Sequence, residues 1–305
     1  MQRRQFLKSA AAAVAASTGA APAACSPPVP PGAPFQLAYA PHFGMFRNLA
    51  GKDLLDQLRF AADQGFQAWE DNGMRGRDRE FQNRFAAEME RLGMTMGVFV
   101  AHDDAFGKAN FSSGDGKARK KFLDDIRHSV ELAQRVRAKW VTVVPGELDA
   151  RKPLEYQTAN VIDTLRAAAE ICQPSGMTMV LEPLNPWVNH PNMFLQRIPQ
   201  AFMICRAVNS PSCKILFDIY HQQITEGNLI GNIDRAWSEI GYFQVGDHPG
   251  RKEPTTGEIQ YKRIFAHLKE KGFEGIVGME HGNSKSGKEG ELAVIQAYRQ
   301  CDPPV

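Results

Sequence analysis

The amino-acid sequence predicts an α/β fold, a single-domain (β/α)8 TIM barrel, from three observations. Short apolar runs alternate with amphipathic helical stretches along the chain from residue 35 onward. Eight such pairs fill roughly 270 residues, which is the number and size of the units in a barrel of this kind. The apolar runs also lack the alternation of half-exposed strands, as expected for strands buried on both faces.

Eight apolar segments are predicted as the strands, and each is followed by a segment with helical periodicity. The strands are FQLAYA (35–40), GFQAWED (65–71), MTMGVFVAH (94–102), KWVTVVPG (139–146), MTMVLEP (177–183), CKILFDIYH (213–221), IGYFQVGD (240–247) and EGIVGMEH (274–281). The helical segments are 52–65, 79–93, 117–138, 156–176, 197–209, 232–239, 261–272 and 289–300. Gly65, Gly93 and Pro174 lie where such segments end, which is typical of helix termini.

A doubly wound parallel sheet is the alternative fold. That fold normally carries a glycine-rich phosphate-binding turn after an early strand, and no GxGxxG sequence occurs in this chain. The barrel is therefore preferred.

The composition is ordinary for a globular protein. Hydrophobic residues make up 43% and charged residues 23% of the chain, and the net charge is +2. This charge gives no indication of a nucleic acid or an anionic membrane surface as a partner. No apolar run long enough for a transmembrane span occurs in the body of the chain.

The first 25 residues predict a signal peptide. MQRRQFLKSAAAAVAASTGAAPAAC (1–25) has Arg3 and Arg4 side by side, then Phe-Leu-Lys, then an alanine-rich apolar run. This layout is typical of the twin-arginine (Tat) export route. SPPVPPGAP (26–34) is predicted as a stiff proline-rich linker, and residues 35–305 as the barrel. We expect a periplasmic protein.

A lipid anchor at Cys25 stays open. The cysteine follows two alanines, as a lipoprotein acceptor would, but Pro22 stands where such signals usually have an aliphatic residue. Cleavage after the small residues Ala21-Pro22-Ala23 is the alternative. The other four cysteines have no CxxC spacing, so no thiolate zinc site is predicted, and their pairing is left open.

The fifth to eighth predicted strands each place an oxygen-bearing side chain at or near the strand end. These side chains are Glu182, Asp218, Gln244 and Glu280, and the steps between them are 36, 26 and 36 residues. Because chemistry in this fold takes place at the carboxyl ends of the strands, we expect the four to converge.

Three carboxylates in apolar strands predict a metal site. Burying an ionised carboxylate costs several kcal/mol unless it is paired or binds a metal. Carboxylate and amide oxygens suit Mn²⁺, Mg²⁺ or Co²⁺ better than zinc, which prefers histidine and cysteine. We therefore expect a divalent metal as the cofactor.

Four motifs resemble those of the hydroxypyruvate isomerase family, within the xylose isomerase-like sugar isomerases and epimerases. They are MVLEPLN (179–185), FDIYHQQ (217–223), QVGDHPGRKEPTTGEIQY (244–261) and IVGMEH (276–281). The third is long and specific, whereas the others would be weak alone. The resemblance covers residues from about 36 to 300 and is strongest from 177 onward.

The resemblance implies a role for each candidate residue. Glu182, Asp218, Gln244 and Glu280 would be the metal ligands, with Glu182 and Glu280 also the catalytic acid–base pair on opposite faces of the substrate. His221 and Arg251 would bind substrate oxygens. Glu253 would order the loop or the substrate.

Two further residues are predicted at the same rim of the barrel. His102 ends the third predicted strand and Glu70 ends the second. Both are candidates for binding substrate. The alternatives are a hydrogen-bonded structural histidine at position 102 and, at position 70, a glutamate that supports the site from outside it.

The resemblance implies an isomerase that acts on a small α-hydroxy carbonyl compound through a cis-enediolate. Hydroxypyruvate, converted to tartronate semialdehyde, is the specific expectation, because Gln244 stands where the ketose epimerases usually have histidine. Arg251 would hold the substrate carboxylate through two hydrogen bonds.

Other functions stay open because the export signal is unexpected for hydroxypyruvate metabolism and TTG (255–257) replaces the usual GTG. One is a ketose 3-epimerase or related sugar isomerase in the periplasm. Another is a non-catalytic periplasmic sugar-binding barrel. A metal-dependent phosphodiesterase would require more histidines and a basic groove. Homo-oligomer formation is also left open.

Overall fold

Eight parallel strands and ten α-helices build the fold of residues 32–103 and 106–304, the part of the chain that this computed structural model describes. The predicted signal peptide, Cys25 and the linker up to residue 31 lie outside the described residues. Each predicted strand segment contains an observed strand. The strands are β1 (Ala38–Ala40), β2 (Ala68–Trp69), β3 (Thr95–Met96), β4 (Trp140–Val143), β5 (Thr178–Leu181), β6 (Cys213–Asp218), β7 (Ile240–Gln244) and β8 (Ile276–Gly278).

Parallel pairing closes these strands into a barrel. Six are hydrogen-bonded in the order β1-β8-β7-β6-β5-β4, and β2 pairs with β3. Parallel bridges from His42 to Glu70 and from Val100 to Thr142 join this pair to the chain of β1 and to β4. The strands thus follow one another around the barrel in chain order, and the predicted (β/α)8 fold is confirmed.

The helices connect successive strands and cover the barrel. They are α1 (Arg47–Ala50), α2 (Leu54–Asp63), α3 (Arg79–Leu92), α4 (Gly116–Val136), α5 (Leu154–Cys172), α6 (Ile198–Val208), α7 (Ile219–Thr225), α8 (Leu229–Ala236), α9 (Tyr261–Glu270) and α10 (Gly287–Cys301). In α2, Leu55, Leu58 and Ala61 form the buried face, as their spacing predicts. The carboxylate of Asp53 caps this helix by accepting the N–H groups of Leu55 and Asp56.

The sixth predicted strand, 213–221, is too long by three residues. β6 ends at Asp218, whose carboxylate accepts the backbone N–H groups of Tyr220 (2.8 Å) and His221 (3.4 Å). A side chain that caps a helix in this way ends the strand and starts the helix at one residue. His221 therefore lies in the first turn of α7, directly above the strand end.

Seven buried hydrophobic side chains fill the barrel below the strand ends. They are Ala40, Ala68, Val98, Val180, Leu216, Tyr242 and Ile276. Because side chains on one face of a strand recur every two residues, the residue two places later on a strand stands above this layer. The residues two places later on four of the strands are Glu70, Glu182, Asp218 and Gln244. Strand alternation alone therefore turns these polar side chains into the mouth of the barrel.

Two further findings concern the described residues. Among residues 32–103 and 106–304, no helix is both long and apolar enough to cross a membrane. The four cysteines in this part of the chain are free and buried, so it contains no disulfide.

Candidate active site

A carboxylate cluster lies at the carboxyl ends of β5 and β6. One ligand atom from each of Glu182, Asp218 and His221 lies within 4.8 Å of the others, and all three residues are buried. The His221 Nε2 atom is 3.4 Å from Asp218 Oδ2 and 3.8 Å from Glu182 Oε1. Two of the predicted metal ligands and a predicted substrate-binding residue are therefore neighbours.

Asn185 determines how the His221 ring presents itself to the cluster. The backbone N–H of Asn185 lies 3.3 Å from His221 Nδ1, and its side-chain Nδ2 lies 2.6 Å from the same atom. A backbone N–H can only donate, so Nδ1 accepts and the ring proton sits on Nε2. Burial, reinforced by the charge of Arg251, keeps the pKa of His221 well below its usual range. The neutral ring thus points an N–H donor at the carboxylates.

Arg251 joins the third carboxylate to the cluster. Its Nη2 atom lies 2.8 Å from Glu280 Oε2 and 3.1 Å from Asp218 Oδ2, and its Nε donates to the Glu280 backbone oxygen at 3.1 Å. The guanidinium also lies over the ring of Tyr220, 4.9 Å from the centroid. These contacts hold one cation between two acids on β6 and after β8.

The charged loop that carries Arg251 is folded around Asp247. This fully buried carboxylate accepts backbone N–H groups from Thr256, Gly257 and Ile259 at 2.9–3.1 Å. Hydrogen bonds from three backbone donors compensate a carboxylate for the water it loses. Asp247 therefore fixes the loop from below, while Arg251 reaches across it into the site.

Glu253 connects the same loop to the segment after β8. Its carboxylate accepts the backbone N–H of Ser284 at 2.8 Å and the Ser284 hydroxyl. The side chain is buried and makes both of these contacts away from the carboxylate cluster. Of the two roles the resemblance implies, the contacts correspond to ordering of the loop.

Gln244 and Glu70 meet inside the barrel mouth. The Gln244 Nε2 atom donates to Glu70 Oε1 at 2.8 Å, and the Tyr242 hydroxyl donates to Glu70 Oε2 at 2.9 Å. The Gln244 Oε1 atom is buried and has no hydrogen-bond partner among the described residues. Glu70 contacts protein groups through both of its oxygens, as expected of a residue that supports the site.

His102 is placed at the rim, but its ring nitrogens are engaged by the backbone. Nδ1 lies 2.8 Å from the Asp103 carbonyl oxygen, and Nε2 accepts the Val144 N–H at 3.2 Å. The ring packs against Phe122 with 5.1 Å between centroids, and burial lowers the pKa of His102 to about 4. These are the contacts of the structural histidine that was the alternative to a substrate-binding one.

The pKa of each carboxyl group in the cluster is raised, mainly by burial. Removal from water raises the pKa of Glu280 to about 7, although the Arg251 charge opposes the shift. Burial, followed by the charges of Glu280 and Asp218, raises the pKa of Glu182 well above its usual range. The pKa of Asp218 is also raised by burial, against the effect of Arg251. Three acids facing one guanidinium leave an excess of negative charge.

The donor set fits a hard divalent cation. Carboxylate oxygens of Glu182 and Asp218 lie within 4.8 Å of each other, Glu280 is joined to Asp218 through Arg251, and Gln244 offers a buried Oε1 atom that lacks a partner among the described residues. Oxygen donors with surplus negative charge are what Mg²⁺ and Mn²⁺ prefer. These four residues could hold such a cation, and Arg251 balances only part of their charge.

The fold and this cluster define a barrel enzyme with paired acids at the carboxyl ends of its strands. The chain belongs to the xylose isomerase-like TIM barrel family, whose model matches residues 58–301.

Curated relatives include three isomerases of similar length. A 2-oxo-tetronate isomerase of Cupriavidus necator is 28% identical over 70% of this chain and 81% of its own. The hydroxypyruvate isomerase of Escherichia coli is 28% identical over 68% and 80%, respectively. A putative hydroxypyruvate isomerase of Homo sapiens is 28% identical over 83% and 92%. The predicted resemblance and the prediction of an isomerase are confirmed.

Solved structures with the same fold are more distant in sequence. An AP endonuclease, family 2, from Brucella melitensis superposes with a TM-score of 0.72 at 24% identity, covering 86% of this chain and 99% of that one. A D-psicose 3-epimerase from Clostridium cellulolyticum superposes with a TM-score of 0.69 at 18% identity, covering 87% and 96%. At these identities the similarity concerns the fold alone.

Asn185 is a residue of the candidate site that the sequence prediction missed. It lies within the MVLEPLN motif (179–185), yet only the structure pairs it with His221, which is 36 residues away. Asn185 is visible in the motif, but its contact with His221 depends on how the segment after β5 lies against α7.

Proposed function

We propose that the protein is a metal-dependent isomerase that converts hydroxypyruvate to tartronate semialdehyde. The observation that carries the proposal is the position of Arg251, whose Nη2 lies within 3.1 Å of carboxylate oxygens of both Asp218 and Glu280. An arginine beside the acid–base groups can hold a substrate carboxylate while the adjacent carbons react. Hydroxypyruvate has its carbonyl carbon directly next to a carboxylate and its hydroxyl-bearing carbon next to that carbonyl.

The names of the relatives support this substrate class. Hydroxypyruvate and 2-oxo-tetronate, named for relatives in Escherichia coli and Cupriavidus necator, are both 2-oxo acids with a hydroxyl on the next carbon. A single cation for the carboxylate and a pair of acids for the two carbons would serve either compound. We favour a 2-oxo acid such as hydroxypyruvate over a ketose because Gln244, rather than histidine, stands at the end of β7.

The two glutamates would move the protons. One takes a proton from carbon 3 of hydroxypyruvate, which gives the cis-enediolate, and a glutamate returns a proton to carbon 2. A pKa of about 7 suits Glu280 to both directions of transfer at neutral pH, because neither of its protonation states is rare there. The raised pKa of Glu182 allows this residue to carry a proton at the same pH.

The remaining residues would orient the substrate and balance its charge. His221 points Nε2–H into the cluster and can donate to a substrate oxygen, since Asn185 occupies the other ring nitrogen. A divalent cation held by Glu182, Asp218, Gln244 and Glu280 would supply Lewis-acid stabilisation of the negative charge that develops during proton transfer.

The test is deuterium incorporation in D₂O. The purified protein is incubated with Mn²⁺ and hydroxypyruvate, and with ketoses in parallel, and the products are followed by NMR. We expect deuterium at carbon 2 of tartronate semialdehyde, lost with EDTA and restored by Mn²⁺. A reaction without enzyme measures the spontaneous enolisation of hydroxypyruvate.

Two outcomes would contradict the proposal in different ways. Exchange with a ketose but not with hydroxypyruvate would make the protein a sugar isomerase or epimerase. Metal binding without exchange in any compound would favour a non-catalytic sugar-binding barrel.

A further inference from the structure

We propose that Glu70 is a positioning residue that acts through Gln244: it holds the side-chain amide so that the carbonyl oxygen Oε1 faces the metal site. The role as a metal-site component rests on the proposed function. Glu70 lies far from the other acids in the sequence, 174 residues before Gln244. None of the motifs that carry the family resemblance contains it.

The hydrogen bonds around Glu70 place a donor on each of its two oxygens. The Val98 backbone N–H can only donate, and it points at the Tyr242 hydroxyl oxygen at 3.4 Å. The single proton of that hydroxyl is therefore free for Glu70 Oε2, 2.9 Å away. The other oxygen, Oε1, lies 2.8 Å from Gln244 Nε2. Glu70 is the acceptor in both of these hydrogen bonds.

A carboxylate in this position decides the orientation of the glutamine amide. An amide has a donating end and an accepting end of nearly the same shape, and its orientation follows from its partners. With Glu70 as the acceptor at 2.8 Å, the NH₂ end of Gln244 faces Glu70 and the amide oxygen faces away from it. That oxygen is buried and has no partner among the described residues, so it is available to a metal ion at the strand ends.

The neighbouring strands leave space for this arrangement. Gly278 pairs with Gln244 in the β7–β8 register, and a Cβ atom at position 278 would collide with Glu70 Oε2 and approach Gln244 Cγ to 3.0 Å. A Cβ atom at Gly97 would likewise collide with the Tyr242 hydroxyl. Both glycines lie where a side chain would displace the hydrogen-bonded row Tyr242–Glu70–Gln244. Because Gly97 and Gly278 have no side chains, they leave room for this row on two sides.

The support that Glu70 gives to Gln244 resembles the support that histidine ligands receive in many metal sites. Histidine ligands commonly donate their second ring N–H to a carboxylate, which fixes the ring and strengthens the ligand, and loss of that partner lowers metal affinity by about 10–100-fold. Glu70 provides the same kind of support to a glutamine ligand.

The experiment measures binding of Mn²⁺ alone by isothermal titration calorimetry in a double-mutant cycle. Glu70→Gln replaces the carboxylate with an amide of the same shape that can face Gln244 with either end. We expect the affinity of this variant for Mn²⁺ to fall by about 10–100-fold. In the Gln244→Ala background the same change should alter the affinity by less than about threefold, because the group through which Glu70 acts is gone.

Tyr242→Phe is the second variant, since it removes one donor to Glu70 but keeps the Gln244 contact. It should weaken Mn²⁺ binding less than Glu70→Gln does. Thermal melting without metal reports whether each variant is folded.

Three results would overturn the inference. Equal losses in both backgrounds would mean that Glu70 acts through its charge and not through the amide. Unchanged affinity in Glu70→Gln would mean that Gln244 needs no such support. A wild-type protein that binds no Mn²⁺ would end both this inference and the metal dependence of the proposed function. Wild-type protein that binds Mn²⁺ but leaves hydroxypyruvate unchanged would contradict the proposed function alone.

Discussion

The two halves of the barrel both carry buried ionisable side chains at their strand ends, but the partners of these side chains differ. In the first half, β1 to β4, Glu70 and His102 use their polar atoms on groups of the protein itself. In the second half, β5 to β8, Asp218 and Glu280 share one guanidinium, and Glu182 faces the N–H of His221. Both halves therefore place ionisable side chains at strand ends, but only those of the second half are free to bind a ligand.

Two unpartnered polar atoms lie at the candidate site in the second half. Gln244 Oε1 and His221 Nε2, both in the second half, are buried and lack hydrogen-bond partners within the described part of the chain. An unpaired buried polar group costs about 1–3 kcal/mol, and a ligand bound at these strand ends would offset that cost for both atoms. We infer that the second half binds and reacts, and that the first half holds it in shape.

The largest effect expected from this division is that of Glu280→Gln. The variant keeps the shape of the side chain but cannot take or return a proton, so the rate of hydroxypyruvate isomerisation should fall by about 10²–10⁴-fold. Deuterium uptake in D₂O measures it. Glu182→Gln should lose activity on the same scale, because both members of the pair are needed for one turnover.

Glu239→Gln is the matched control. Glu239 is also buried, but it precedes β7 at the opposite end of the barrel and pairs with Lys214 at 2.7 Å and Arg206 at 3.5 Å. This variant should lose stability and little activity. Retention of full activity by Glu280→Gln would remove the main distinction between the two halves.

The acids near the strand ends could be predicted from the sequence because they depend on local patterns. Buried parallel strands appear as apolar runs, and an acid at the end of such a run has few explanations other than a site. The sequence thus predicted that Glu182, Asp218, Gln244 and Glu280 share one end of the barrel.

The contacts between the two halves could not be predicted in the same way. The hydrogen bond from Gln244 to Glu70 joins residues 174 positions apart and depends on closure of the barrel.

The N-cap function of Asp218 was also missed, because FDIYH (217–221) continues the apolar pattern of the strand into α7. Periodicity describes which face a residue occupies, but it does not state which groups meet across the barrel.

Arg251→Lys should have an intermediate effect and tests how the second half recognises its substrate. Lysine keeps the positive charge but loses the planar pair of donors that matches a carboxylate. Since the substrate carboxylate is bound equally before and during the reaction, we expect KM for hydroxypyruvate to rise by about 10–100-fold with a smaller change in kcat. Steady-state kinetics measure both constants.

Arg263→Lys provides the comparison for Arg251→Lys. Arg263 lies on α9 and forms an exposed pair with Glu270 at 3.1 Å, so its variant should match the wild type. A loss of kcat at constant KM in Arg251→Lys would indicate that the arginine serves Asp218 and Glu280 rather than the substrate.

The smallest effect on activity is expected for His102→Gln in the first half. The glutamine oxygen can accept the Val144 N–H in place of Nε2, while the packing of the ring against Phe122 is lost. We expect kcat/KM within about threefold of the wild type and a free energy of unfolding lower by about 1–3 kcal/mol. A tenfold rise in KM would instead make His102 a substrate-binding residue.

The pH dependence of stability gives the same variant a second measurement. With its pKa lowered to about 4 in the folded protein, His102 stays neutral at pH 5, whereas the unfolded chain takes up a proton below about pH 6.5. The unfolded state thus binds more protons between these pH values, so this histidine's contribution to stability is present above pH 6.5 and is lost as pH falls toward 4. From pH 7 to pH 5, urea unfolding should show the wild type losing about 2 kcal/mol more than His102→Gln. Equal losses in the two proteins would mean that His102 is protonated in the folded state at pH 5. A charged ring could not accept the Val144 N–H, so His102 would then not be a supporting residue.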